Sequence, residues 1–73
     1  MSITKQQAIE HNTQVVAMAS SAVLESRVAD PWKFLHDRKY AEEMILGYIN
    51  SANAIRPSMG LPKLHLYNLN EFE

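Results

Sequence analysis

Two of the three histidines in this sequence stand next to a carboxylate: His11 follows Glu10, and His36 precedes Asp37. Imidazole is the side chain that titrates near neutral pH, so each pair is a candidate acid/base couple. Such a couple works only when the carboxylate holds the imidazole in place. Neighbouring residues on a helix point in different directions, so neither pair is preorganised. His65 stands alone near the C-terminal end; an imidazole there could tune binding near neutral pH, but nothing in the sequence singles it out. The three histidines are far apart in sequence, and no two share a helical ligand spacing. Cysteine is absent, which removes disulfides and thiolate metal sites. No glycine-rich phosphate loop, nucleophile elbow or metal-binding helix motif is present. The expectation is therefore a protein that is not an enzyme, with no cofactor, no metal and no small-molecule substrate.

The charges point the same way. Seven basic side chains oppose eight acidic ones in 73 residues. A surface built to neutralise phosphates is usually clearly basic. Lys33, Arg38 and Lys39 do cluster where a recognition helix would begin, but Asp37, Glu42 and Glu43 share that stretch. Nucleic acid is thus the less favoured partner. The N-terminal residues lack the charged start and apolar core of a signal peptide, and no run reaches the roughly 20 apolar residues of a membrane span. The expected location is the cytoplasm.

The elements that position these residues are helical. Thr4 followed by Gln7 is a capping-box pattern, and no Pro or Gly interrupts the chain from there to Val28. Ala8, Val15, Ala19 and Ala22 form one apolar row, and Ile9, Val16 and Val23 an adjoining one. The first helix is expected over 5–28. Asp30-Pro31 combines a preferred N-cap with a proline suited to the first helical position. A second helix is expected over 31–55, ending at Pro57. Its clean face is Phe34, Ala41, Ile45, Tyr48, Ala52 and Ile55, with a second row at Trp32, Leu35, Leu46 and Ile49. Arg38–Glu42 and Lys39–Glu43 are spaced for ion pairs along it. The short connection predicts an all-α, antiparallel helical hairpin.

The tail, 56–73, carries Leu61, Leu64, Leu66, Leu69 and Phe72, too many large apolar residues for a freely solvated segment. It is expected to pack across the hairpin. The alternative is an extended recognition segment for a partner's groove or sheet edge. Residues 63–67 suit a strand, with no second strand in the chain to pair with.

A single domain this small buries only about 60% of its unfolded surface and usually needs a staple. With disulfides and metals excluded, association is the staple that remains. A homodimer forming a four-helix arrangement is expected. Its candidate partner-interface residues are Trp32, Leu35, Leu46, Ile49, Leu64, Leu66 and Tyr67. The function implied is a non-enzymatic interaction module: an adaptor, regulator or inhibitor of a larger protein machine, of the size common among phage and mobile-element accessory proteins. The alternatives are a structural subunit of a larger assembly and a nucleic-acid-binding transcriptional regulator.

Overall fold

The computed structural model describes residues 2–72. It is all-helical, with two long helices and a short one, and no strand among the described residues. Helix α1 spans Lys5–Glu25, α2 Pro31–His36 and α3 Arg38–Ile55. Single 3₁₀ turns follow at Arg56–Met59 and Leu69–Phe72, with extended chain between them.

The start of α1 forms as its sequence dictates. The Thr4 hydroxyl accepts from the Gln7 N–H at 3.1 Å, and the Gln7 side-chain oxygen accepts from the Thr4 N–H at 2.8 Å. Its end comes three residues earlier than the expected Val28. Arg27 turns into the left-handed region, φ 60°, and its N–H returns to the Leu24 carbonyl. The Ala29 N–H reaches back to the Val23 carbonyl, which buries Ala29. The chain must become extended ahead of Asp30-Pro31, and it does so by closing the helix early.

Asp30 caps α2: its carboxylate accepts from the N–H groups of Trp32 and Lys33. The expected single helix over 31–55 is in fact two. Asp37 adopts φ −123° and ψ 102°, and its carboxylate accepts from the Tyr40 N–H at 3.1 Å. A short acidic side chain competes for backbone N–H groups, so it caps a new helix rather than extending the old one. The break turns Tyr40 back onto the interhelix turn. Its hydroxyl accepts from the Asp30 N–H at 2.9 Å, and the Lys33 ammonium sits 4.8 Å from its ring centre. Of the two spaced ion pairs only Arg38–Glu42 forms, at 3.3 Å and largely exposed. A pair of that kind contributes a few tenths of a kcal/mol at most.

The core is small. Val15 of α1, Ile49 of α3 and Leu64 of the tail meet at its centre, with Ile45, Tyr48 and Ala52 packed against them. Ala8, Ala19, Val23 and Ala29 complete the buried set, and no large side chain among the described residues is wholly buried. The chain measures 40 × 32 × 14 Å, thin enough for a helix and one further layer of chain. Its accessible surface is 5634 Å². A compact monomer of 8.3 kDa is expected to expose about 4,600 Å². The excess is therefore about 1,000 Å². No helix among the described residues is long and apolar enough to cross a membrane.

Candidate interaction surface

The tail crosses the helices as extended chain and is held by two asparagines. Asn53 of α3 donates from Nδ2 to the Leu64 carbonyl at 2.8 Å and accepts from the Leu64 N–H at 2.6 Å. Asn12 of α1 does the same to Tyr67, at 3.0 Å and 2.8 Å. A carboxamide is a peptide group in miniature, so each asparagine stands in for a residue of a neighbouring strand. This answers the question of what residues 63–67 pair with. Their partners are side chains, not a second strand.

Leu64 is drawn into the core by this arrangement, while Lys63, His65 and Leu66 remain exposed. His11 lies under the tail, with Nε2 2.9 Å from the His65 carbonyl oxygen. The His11 and His65 ring centres are 4.7 Å apart, and Tyr67 meets both rings edge-on. Phe72 in turn meets Tyr67 edge-on at 6.2 Å. Leu69 borders a shallow depression together with Ile9, Val16 and Ala17 of α1. At its other end the tail is pinned by the Arg56 Nε–H, which donates to the Pro62 carbonyl at 2.7 Å.

Neither histidine–carboxylate neighbour pair assembles into a couple. His11 serves the tail, and His36 stacks on Trp32 at 4.5 Å. Among the described residues no cluster of three or more His, Cys, Asp or Glu is placed to hold a metal ion.

On α3, Ser51 and Asn53 are two residues apart and point away from each other. Asn53 holds the tail; Ser51 belongs to the uncovered face. An apolar groove of ≈460 Å³ runs along that face, from Val28 through Ala22, Ser26, Met44 and Gly47 to Tyr48 and Ser51. Past Tyr48 and Ser51 a second depression, of ≈350 Å³, continues to Ile55, Met59 and Leu61. A Cβ added at Gly47 would meet nothing within 4 Å, so close packing inside this chain does not require a glycine there.

The seven interface candidates fall in four places. Trp32 and Leu35 are on α2, 70% and 74% exposed. Leu46, also exposed, is on α3 beyond the break. Ile49 and Leu64 lie in the chain's own core. Leu66 is exposed and Tyr67 half-buried under the histidines. Of the row Trp32, Leu35, Leu46 and Ile49, the first three are exposed and the fourth is packed in the chain's own core. The sequence reading missed Asn12 and Asn53. Their signal was present: asparagine in a helix interior is locally unfavourable, and two such residues ask for a reason.

No family model, no curated protein and no solved structure matches this chain.

Proposed function

We propose that this chain is a non-enzymatic protein–protein interaction module: an antiparallel helical hairpin that pairs with a second copy through the bare face of α1 and α3. The pair forms a four-helix arrangement, and the exposed Trp32 and Leu35 of α2 are left to engage a further protein. In that role it acts as an adaptor, regulator or inhibitor.

The observation that carries this reading is the uncovered groove on a chain with too much surface. The surplus of about 1,000 Å² compares with the roughly 800 Å² per partner that a standard stable interface buries. The groove is lined mainly by small and apolar residues, Ala22, Ser26, Gly47 and Ser51 among them, with Met44 and Tyr48 as large apolar side chains and Glu43 as its one charged one. Small residues on both helices let a second backbone come close, and Gly47 is free of any intrachain duty that would explain it. A helix pair of the same kind supplies the flat apolar counterpart such a groove accepts.

Light scattering across a range of concentrations tests this. The unaltered chain is expected at twice the chain mass, and Met44→Glu at the mass of one chain with its helix content retained. A Met44→Glu variant that keeps the doubled mass removes the groove from the interface. A mass that climbs without limit favours the structural-subunit reading. Two separate apolar regions, the groove and the Trp32–Leu35 patch, would support that outcome because unlike surfaces can join head to tail.

A further inference from the structure

The tail is gripped through its backbone. Both clamps engage peptide N–H and C=O groups, which every chain possesses, and a single tail side chain, Leu64, enters the core. The site between α1 and α3 is therefore a peptide-binding site, already loaded with an extended segment of the form Leu-x-x-Tyr.

The connection that delivers the segment is short and pivots at one point. Gly60 adopts φ 77°, a left-handed conformation that glycine enters without steric cost. Its N–H and that of Leu61 close the turn onto the carbonyls of Pro57 and Arg56. Pro57 and Pro62 bracket the pivot and restrict the backbone on either side of it. A change at Gly60 alone redirects all of residues 61–72 while leaving α1 and α3 as they are. A single pivot of this kind is the place at which an identical element can pass from one copy to another at low cost.

We infer that residues 61–72 of one copy occupy the Asn12–Asn53 groove of a second copy, so that two chains exchange tails. The occupant is fixed by the structure itself: the segment shown to fit the groove is this tail, and a second copy carries the same one. Each exchanged groove keeps both asparagine clamps, the buried Leu64 and the ring contacts of His11 with His65 and Tyr67. The contacts that change are those of the connection at 56–62: the Gly60 and Leu61 N–H bonds of the turn and the Arg56–Pro62 bond. This exchange is separate from pairing through the Met44–Gly47 face, and either can occur without the other.

The absence of cysteine gives a direct test. Two full-length variants, His11→Cys and His65→Cys, are mixed in equal amounts, equilibrated and oxidised. Each carries one thiol, so a tail held by its own chain brings no two thiols together. Exchange predicts the mixed His11→Cys/His65→Cys disulfide at several-fold excess over the two like-with-like products. A statistical ratio of about 1:2:1 overturns the proposal. A second measurement needs no substitution. In an equilibrated mixture of isotope-labelled and unlabelled wild-type chains, exchange places ring protons of a labelled His11 near those of an unlabelled Tyr67. Absence of that intermolecular NMR contact overturns it equally. Met44→Glu separates the two interfaces, since it abolishes face pairing and leaves the mixed disulfide intact.

Discussion

Asn53 holds Leu64 as a neighbouring β-strand would, with its carboxamide oxygen 2.6 Å from the Leu64 nitrogen and its carboxamide nitrogen 2.8 Å from the Leu64 oxygen. Leu64 is buried, so its N–H and C=O have no easy recourse to water. Asn53→Ala is expected to cost about 2–3 kcal/mol, because it strands a buried donor and acceptor together. Asn53→Asp keeps the acceptor but sets a carboxylate oxygen against the Leu64 carbonyl, so it should cost at least as much. Denaturant unfolding measures both, and amide exchange at Leu64 should quicken in each. An Asn53→Ala protein of wild-type stability would mean that the clamp contributes nothing.

Gly47 gives a prediction with opposite signs in two observables. Within one chain a Cβ there meets open space. Gly47→Ala should therefore stabilise α3 by up to about 1 kcal/mol through helix propensity. If a second copy rests on that face, the same methyl group should weaken pairing by several-fold in dissociation constant. Unfolding measured below the dissociation constant reports the first effect and light scattering the second. Unweakened pairing would place the interface elsewhere.

The interface candidates should separate sharply in their effect on stability. Ile49 is packed against Val15 and Leu64, so Ile49→Ala should cost about 2 kcal/mol or more. Leu35 is 74% exposed, so Leu35→Ser should change stability by less than about 0.5 kcal/mol. Trp32 emission should be that of a solvated indole in the isolated chain and should shift to shorter wavelength on adding a partner that covers the patch. A large loss of stability in Leu35→Ser would show that α2 folds onto the body more closely than described.

Asp37 controls the direction of α2. Asp37→Ala removes the cap on Tyr40 and leaves a good helix former at the break, so α2 and α3 should merge. Helical circular dichroism should rise slightly. Tyr40 should lose its bond to the Asp30 N–H, and stability should fall by about 1 kcal/mol. Unchanged chemical shifts at Asp30 and Tyr40 would show that the kink has another cause.

The helices were legible because their signals are local. Thr4 and Gln7 mark one start, Asp30 and Pro31 another, and the apolar spacing carries each helix between its ends. Asp37 was misread for the same reason. It lies among polar residues with no Pro or Gly, and the choice between exposed side chain and N-cap depends on where Tyr40 can find a partner. The tail was read as too apolar to be free, but its seat could not be found from pattern alone. Asn12 and Tyr67 are 55 residues apart, and nothing in either neighbourhood refers to the other. The candidate surface divided likewise. Trp32 and Leu35 stood out as unclaimed apolar residues, whereas Ile49 and Leu64 looked the same in sequence and are claimed by the core.

Peptide groups are all alike, so two asparagines cannot count positions along the strap they hold. Counting falls to the one tail residue whose side chain plunges inward, Leu64. Three places earlier stands Leu61, and the clamps are themselves three places apart. A slip of one such step would seat Leu61 where Leu64 belongs and bring Leu64 beneath Asn12, with every clamp still satisfied. What holds the segment in its true alignment is therefore fixed on either side of the clamps: the Arg56–Pro62 bond and the turn at Gly60 before them, and the rings of His65 and Tyr67 against His11 between and beyond them.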